Sequence, residues 1–140
     1  MLAHEALENT IKSLKPGARV LDVGSGPGEH SRAFELAGFH VEQCDLAAGV
    51  SYIDMPLRPQ EYDCIWCSHV LEHMPDLDAN LKRMRRELKH GGLLAATVPP
   101  LKHEIVGGHV NLFNPGLLLY RLILAGFDCS RASMSQYGYN

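Results

Sequence analysis

The sequence has no long hydrophobic run, no excess of basic charge and few cysteines. Its 140 residues carry 13 Lys and Arg against 16 Asp and Glu, a net charge of −3, so no basic surface for nucleic acid is predicted. The apolar stretch Leu117 to Leu124 is interrupted by Tyr120 and Arg121 and is too short to span a bilayer. The segment Met1 to Glu5 lacks the basic residues of a signal peptide. We therefore expect a cytoplasmic protein with no membrane span and no nucleic-acid partner.

The four cysteines do not form a recognisable metal or redox motif. The spacing Cys64-x-x-Cys67 is typical of such motifs, but the pair lies in an apolar run that reads as a buried strand. Residues three apart on a strand point to opposite faces, and no second Cys/His pair completes a four-ligand zinc site. Cys44, Cys64, Cys67 and Cys129 are therefore predicted to be reduced and mainly structural, as in a cytoplasmic protein.

Helical and strand patterns alternate along the chain, which predicts a single α/β domain over residues 1–140 with a mainly parallel, doubly wound sheet and helices on both faces. Gly91-Gly92 is expected to end the third helix, and the basic residues of that helix are expected to face solvent. Those residues are Lys82, Arg83, Arg85 and Arg86. The predicted helices are 2–14, 29–36, from Asp76 or Asp78 to about Leu88, and 115–125. The predicted strands are 19–23, 39–44, 64–67 and 93–98, with further candidates at 50–53 and 127–132.

The first strand leads into a glycine-rich loop, Asp22-Val23-Gly24-Ser25-Gly26-Pro27-Gly28. Glycines allow a ligand to approach the backbone, and doubly wound sheets bind ligands beyond the carboxyl ends of their strands. The spacing Gly-x-Gly-x-Gly differs from the Gly-x-Gly-x-x-Gly dinucleotide fingerprint. The carboxylate of Asp22 would repel a pyrophosphate but not a cationic amino group or sulfonium. A nicotinamide-dependent oxidoreductase is therefore disfavoured.

Asp45 follows the second strand, 17 positions beyond Gly28. A carboxylate at this place in a nucleotide-binding fold can accept hydrogen bonds from both ribose hydroxyls. A glycine loop alone is equally consistent with a tight turn. The order strand, loop, helix, strand, acid favours a ligand site.

Four segments together resemble class I S-adenosylmethionine-dependent methyltransferases, in the small-molecule branch of type 11 and 12 domains. The resemblance covers residues 17 to about 128 and is specific as a set rather than motif by motif. The segments are Val20 to Phe34, Ser68-His69-Val70-Leu71-Glu72-His73-Met74, Leu88-Lys89-His90-Gly91-Gly92-Leu93-Leu94 and His109-Val110-Asn111-Leu112-Phe113-Asn114-Pro115.

The resemblance implies that S-adenosyl-L-methionine is the cofactor and gives roles to individual residues. Asp22 would lie near its methionine amino group, and Asp45 would hold its ribose. Asp54 is a candidate for the adenine amino group, although the segment before Pro56 is shorter than the family pattern. The remaining implied contacts are Gly24, Gly26 and Gly28 along the methionine moiety, Leu46 against the adenine, and Cys67, Ser68 and His69 at the methionine end.

Two histidines are candidates for a general base, because imidazole titrates near neutral pH and oxygen nucleophiles benefit from such a base. His73 follows the fourth predicted strand, and His109 lies in the long loop after the fifth. The alternatives are that His73, like Glu72 beside it, is a loop residue bonded to backbone, and that His109 fixes the loop before the last helix. No Asp/His/Glu set shows metal-ligand spacing, so no metal is expected.

The sequence thus predicts methyl transfer to a small-molecule, glycan or lipid-linked acceptor, with oxygen as the expected nucleophile. A non-catalytic binding or regulatory module of the same fold is the alternative. The family's seventh strand is expected to be short or absent, since only Ser135 to Asn140 could supply it. Exposed strand edges are normally paired or covered, which suggests a homodimer or a partner at that edge.

Overall fold

The computed structural model describes residues 3–45, 49 and 51–136. Four parallel strands form one sheet in the order β2-β1-β3-β4, which confirms the doubly wound α/β prediction. The strands are β1 (Arg19–Val23), β2 (His40–Cys44), β3 (Tyr62–Ser68) and β4 (Leu88–Thr97). The helices are α1 (His4–Ser13), α2 (Glu29–Leu36), α3 (Leu77–Glu87) and α4 (Pro115–Leu124), and 3₁₀ turns cover Tyr52–Asp54 and Leu71–His73.

Alternating strand residues build a separate core on each face of the sheet, as the period of two in a strand requires. On one face Val20, Cys64 and Trp66 pack with Leu7 of α1 and Phe34 of α2. On the other face the buried core contains residues from all four strands, α3 and the loops, among them Leu21, Val23, Cys44, Ile65, Cys67, Leu77, Leu81, Met84 and Leu88. Cys64 and Cys67 thus face opposite ways, as expected.

All four cysteines are free, and three of them are buried. Burial raises the pKa of the Cys44 thiol to about 11 and that of the Cys64 thiol to about 12, and it also raises the pKa of Cys67. Thiols with raised pKa values are poor nucleophiles and poor metal ligands. The prediction that these cysteines are structural is confirmed for the three buried ones.

Side-chain caps begin helices α3 and α4. The Asp76 carboxylate accepts from the Ala79 N–H at 3.2 Å, and the Asn114 side chain accepts from the Leu117 N–H at 2.8 Å. Pro115 occupies the first turn of α4, where a missing N–H costs nothing. Of the two caps considered for α3, the structure uses Asp76.

The structure shows no strand in the described parts of the two further strand candidates, 50–53 and 127–132. Val50 lies outside the described residues, Tyr52–Asp54 form a 3₁₀ turn, and residues 127–132 contain no strand. The N–H of Phe127 donates to Leu122 and continues the end of α4, while the Asp128 carboxylate accepts from the Ser130 N–H at 3.0 Å and closes a turn. These local hydrogen bonds replace the ladder that an extended segment would need.

The junction between α3 and β4 also differs from expectation. The helix ends at Glu87 and β4 begins at once with Leu88, before Gly91-Gly92. Tyr62 pairs with Leu88 but Cys64 pairs with Leu93, so residues 89–92 bulge out of the ladder. The Lys89 ammonium lies 3.2 Å from the Asp63 carboxylate across this bulge.

The strand order leaves β2 and β4 at the two edges of the described sheet. Ser135 and Gln136 are not in a strand, and residues 137–140 lie outside the described part of the chain. Among the described helices, none combines the length and apolarity needed to cross a membrane.

Arg83 does not belong to the solvated face predicted for α3. Its side chain is only 11% exposed, and its guanidinium donates to the carbonyls of Ile53, Met55 and Pro56 at 3.1, 2.5 and 3.1 Å. It also pairs with Glu87, which in turn accepts a hydrogen bond from the Tyr52 hydroxyl. Arg83 therefore fastens the segment between β2 and β3 onto α3.

Replacing Arg83 with alanine should lower the free energy of unfolding by about 3 kcal/mol, because Glu87 and three carbonyls lose their partner. Arg86→Ala, which removes an exposed arginine from the same helix, should change it by less than about 0.5 kcal/mol. Urea unfolding of both variants measures the difference. Equal effects would show that Arg83 does not anchor the segment.

Candidate functional site at the glycine loop

The glycine loop lies where the direction of chain winding reverses. β1 is the central strand between β2 and β3, and the crevice beyond the carboxyl ends of β1 and β3 is the ligand site of doubly wound sheets. The loop after β1 touches the loop after β3 in this crevice, because a Cβ placed on Gly24 would lie 2.2 Å from Cγ2 of Val70. Gly24 also has φ +74°. No other residue fits this crossing.

The loop is tied to the end of β2. The N–H groups of Gly24 and Ser25 both donate to the Cys44 carbonyl, at 2.6 and 3.2 Å. Asp45 is the next residue, and its carboxyl group is close enough to Asp22 for their charges to interact. The structure therefore brings together Asp22, the glycines and Asp45, which the sequence analysis had grouped.

Gly26 faces open space. Its φ is +54°, and within the described residues no atom would lie within 4 Å of a Cβ built there. Gly28 has φ +87°, and the described neighbour of a Cβ at this position is the Gln43 amide, at 3.5 Å. The outer side of the loop thus offers bare backbone to a ligand, as expected.

Asp22 lies beneath the loop rather than in the open crevice. It is 1% exposed, and its carboxylate accepts a hydrogen bond from the Ser31 hydroxyl of α2 at 2.6 Å. Burial raises its pKa, and the Ser31 hydrogen bond partly offsets this. If Asp22 lies near the amino group of the cofactor, as predicted, it can act on that group through its negative charge or through a water molecule, with little direct contact.

The end of β3 corrects one predicted contact. Cys67 is completely buried in the core, so it does not line the site. The Ser68 hydroxyl lies 2.9 Å from that of Thr97, and the His69 N–H donates to the Thr97 carbonyl at 2.9 Å. His69 has φ +56° and a half-buried position at this edge, where it remains available as a lining residue.

Two other predicted contacts are not resolved by the structure. Leu46 lies outside the described residues. Asp54 has an exposed side chain at the end of the 3₁₀ turn that Arg83 holds. A role for either residue at the adenine remains a prediction.

A second loop closes over the turn after β3. The Asn111 side chain donates to the carbonyls of Leu71 and Met74 at 2.9 and 2.6 Å, and the N–H groups of Val110 and Asn111 donate to the Glu72 carbonyl. Asn111 thus provides the clamp that had been considered for His109. Asn111 lies in the segment His109 to Pro115 that resembles the family, but nothing in the sequence indicated this role.

The clamp brings His73 and His109 together. Their rings meet edge to face with centroids 4.7 Å apart, and Nδ1 of His73 lies 2.8 Å from the Gly108 carbonyl oxygen. The backbone bond considered for His73 is therefore present, although Nε2 is left for other partners. His109 also lines a depression formed by the long loop, together with Pro99, Leu101 and Phe113.

His30 links α2 to the sheet through a hydrogen bond. Its Nδ1 accepts from the buried Trp66 indole N–H at 3.1 Å, and the two rings meet edge to face. The N-cap residue of α2 is Gly28, which has no side chain to cap the helix. His30 therefore joins α2 to the sheet directly behind the glycine loop.

Comparison with known proteins agrees with this geometry. A family profile described as a methyltransferase domain matches residues 2–128. The ubiquinone biosynthesis O-methyltransferase of Xanthomonas campestris is 34% identical over 56% of this chain and 42% of its own, so the chain spans less than half the length of that curated relative.

Two solved structures share the fold. Phosphoethanolamine N-methyltransferase 2 of Haemonchus contortus, in complex with S-adenosyl-L-methionine, has a TM-score of 0.75 and 21% identity over 88% of this chain and 36% of that one. A complex of the Trm112 methyltransferase activator with a methyltransferase from Haloferax volcanii has a TM-score of 0.75 and 20% identity over 89% and 66%.

Asp22→Asn should raise the free energy of unfolding near neutral pH. Burial raises the pKa of Asp22 in the folded chain, so its ionised form opposes folding above that pKa, and this cost disappears as the pH falls towards the unfolded value. The gain from asparagine, which can still accept from Ser31, should therefore shrink in acid. Urea unfolding at neutral and acid pH measures it.

Asp63→Asn is the matched control with the opposite sign. The N–H of Arg19 and the Lys89 ammonium lower the pKa of Asp63, so its ionised form supports folding at neutral pH. This variant should lose stability there and lose less in acid. An Asp22→Asn variant that is less stable than the parent at both pH values would contradict the assignment of Asp22 as a costly buried carboxylate.

Proposed function

Because this chain belongs to the methyltransferase-domain family, we propose that it transfers a methyl group from S-adenosyl-L-methionine to a hydroxyl oxygen of a small-molecule acceptor. The observation that carries the proposal is the uncovered backbone at Gly26, with the buried carboxylate of Asp22 beneath the loop and Asp45 close enough to Asp22 for their charges to interact. This negatively charged region lies at the topological switch of the sheet.

The charges of the crevice suit this cofactor. S-adenosylmethionine carries a sulfonium and an ammonium group, and both are favoured near carboxylates. In the proposal the methionine part lies along Gly24, Gly26 and Gly28, and Asp45 holds the ribose hydroxyls. A pyrophosphate along the glycine loop would be repelled by the carboxylate of Asp22, which weighs against a dinucleotide.

The cofactor supplies the activated methyl group when bound. The chain orients the acceptor and accepts the proton of its hydroxyl group. His73 and His109 lie on the loops that follow β3 and β4, at the same edge of the sheet as the glycine loop. We assign the acceptor side of the site to these two histidines. Imidazole is suited to activating a hydroxyl near neutral pH.

Transfer to oxygen is supported by the relative from Xanthomonas campestris, which is an O-methyltransferase of ubiquinone biosynthesis. Small molecules, glycans and lipid-linked compounds all carry hydroxyl groups, and we place a small molecule first because that relative acts in the synthesis of one. We place the protein in the cytoplasm, a location that its free cysteines support.

A non-catalytic binding module is the second candidate, since fold does not determine function. The observation that favours it is the exposed apolar surface of α4, where Leu117, Tyr120, Ile123 and Leu124 are each 44 to 58% exposed. Such a surface suits a second copy or a protein partner, and the Haloferax complex contains an activator protein. Cofactor binding with no methyl transfer to any hydroxylated acceptor would favour this candidate.

Calorimetric titration with S-adenosylhomocysteine, the product form of the cofactor, tests the proposal. The full chain should bind it at micromolar concentration or tighter, and Asp45→Ala should weaken binding by about 1–3 kcal/mol, because the ribose hydroxyls lose a charged partner. Gly26→Val should abolish binding, since its side chain occupies the crevice.

Asp78→Ala is the control for this titration. Asp78 is a half-exposed carboxylate that pairs with Lys82 on α3, away from the glycine loop, and its loss should leave the affinity unchanged. A well-folded protein that binds no S-adenosylhomocysteine, or an Asp45→Ala variant with full affinity, would contradict the cofactor site.

A further inference from the structure

One group of potential metal ligands lies outside the cofactor crevice. Glu72, His73 and His109 each present a ligand atom, and within the described residues these atoms all lie within 4.8 Å of one another. Glu72 and His73 come from the 3₁₀ turn after β3, and His109 comes from the loop that Asn111 clamps onto that turn. The linear spacing gave no indication of this cluster, because 36 positions separate His73 from His109.

Glu72 is a buried carboxylate to which none of the described residues donates a hydrogen bond. Its side chain is 2% exposed, and its Oε1 lies 3.6 Å from His69 Nδ1 and 3.8 Å from His73 Nε2, which is too far for hydrogen bonds. Its Oε2 is buried, and no donor from the described residues reaches it. An ionised carboxylate removed from water is costly, and either a proton or a cation beside it removes that cost.

His73 is oriented as a metal ligand. A carbonyl oxygen can only accept, so the 2.8 Å contact with Gly108 places the proton of the neutral ring on Nδ1. The lone pair is then on Nε2, the nitrogen that faces Glu72. Metal-binding histidines commonly donate their other N–H to a backbone carbonyl in this way.

We propose that Glu72, His73 and His109 bind a divalent transition-metal ion of the zinc type. Imidazole suits zinc, and two histidines with one glutamate form a three-ligand set that leaves a coordination position open. The ion supplies the positive charge that Glu72 lacks. This assignment replaces the expectation, drawn from sequence spacing, that the protein has no metal site.

The metal site has a consequence that rests on the proposed function. An open coordination position on the acceptor side can hold an acceptor oxygen and lower the pKa of its hydroxyl. The hydroxyl proton is released to water, the oxygen takes the methyl group, and S-adenosylhomocysteine leaves. His73 and His109 then act as ligands rather than as bases.

Titration of the chelator-treated full chain with zinc chloride and with cobalt chloride tests the proposal. We expect one ion per chain at micromolar affinity or tighter, and cobalt should give visible ligand-field absorption without the near-ultraviolet band of a thiolate ligand. Glu72→Gln and His109→Ala should each weaken zinc binding by more than about 100-fold, because losing a direct ligand costs more than the roughly 10- to 100-fold typical of residues that only orient ligands. His103→Ala, an exposed histidine in the same long loop, should leave it unchanged.

Several outcomes would overturn the assignment. They are zinc binding no tighter than millimolar, full affinity in Glu72→Gln, an equal loss in His103→Ala, or a thiolate band that Cys129→Ser removes. Far-ultraviolet circular dichroism checks the fold of each variant. Glu72→Gln keeps the shape of the side chain, and His109→Ala changes a loop residue, so the two variants test the site independently.

The same samples separate this proposal from the proposed function. S-adenosylhomocysteine binding should persist after chelation and in Glu72→Gln, because none of the three metal ligands lies in the glycine loop. Cofactor binding without metal binding would overturn the metal site alone. Metal binding without cofactor binding would overturn the proposed function alone.

Discussion

The close approach of Gly24 to Val70 is the contact on which the rest of the site depends. It brings the loop after β1 against the loop after β3, and a Cβ at Gly24 would meet Cγ2 of Val70 at 2.2 Å. The Cys44 carbonyl fixes the other side of the same loop by accepting from Gly24 and Ser25. Together these contacts place the open backbone at Gly26 beside Asp45, and they leave Asp22 buried beneath it.

Two buried carboxylates lie close to this edge of the sheet, and they are compensated differently. Asp22 has a hydrogen bond from Ser31, although burial still raises its pKa. Glu72 has an oxygen that no described donor reaches. A buried charge without a partner lowers the stability of the fold, and a bound cation can restore that stability. In our proposals the cationic cofactor lies near Asp22 and a metal ion binds Glu72.

The sequence predicted the alternation of helices and strands along the chain, the helices on both faces of the sheet and the glycine loop, because these follow from local periodicity and from glycines at a strand end. The sequence did not predict features that depend on contacts between residues far apart in the chain. Arg83 reads as one more surface arginine until the carbonyls of residues 53–56 surround it. Cys67 reads as a site residue from its motif, yet strand alternation turns it into the core. The metal cluster depends on Asn111 closing one loop on another, which no local pattern encodes.

Cofactor binding between the glycine loop and Asp45 can be tested residue by residue. Backbone amide shifts of the isotope-labelled full chain are followed by nuclear magnetic resonance during addition of S-adenosylhomocysteine. We expect the largest shift changes at Gly24, Ser25, Gly26, Gly28 and Asp45. Saturable changes confined to the opposite end of the sheet, where Arg19, His40 and Tyr62 line a separate depression, would contradict it.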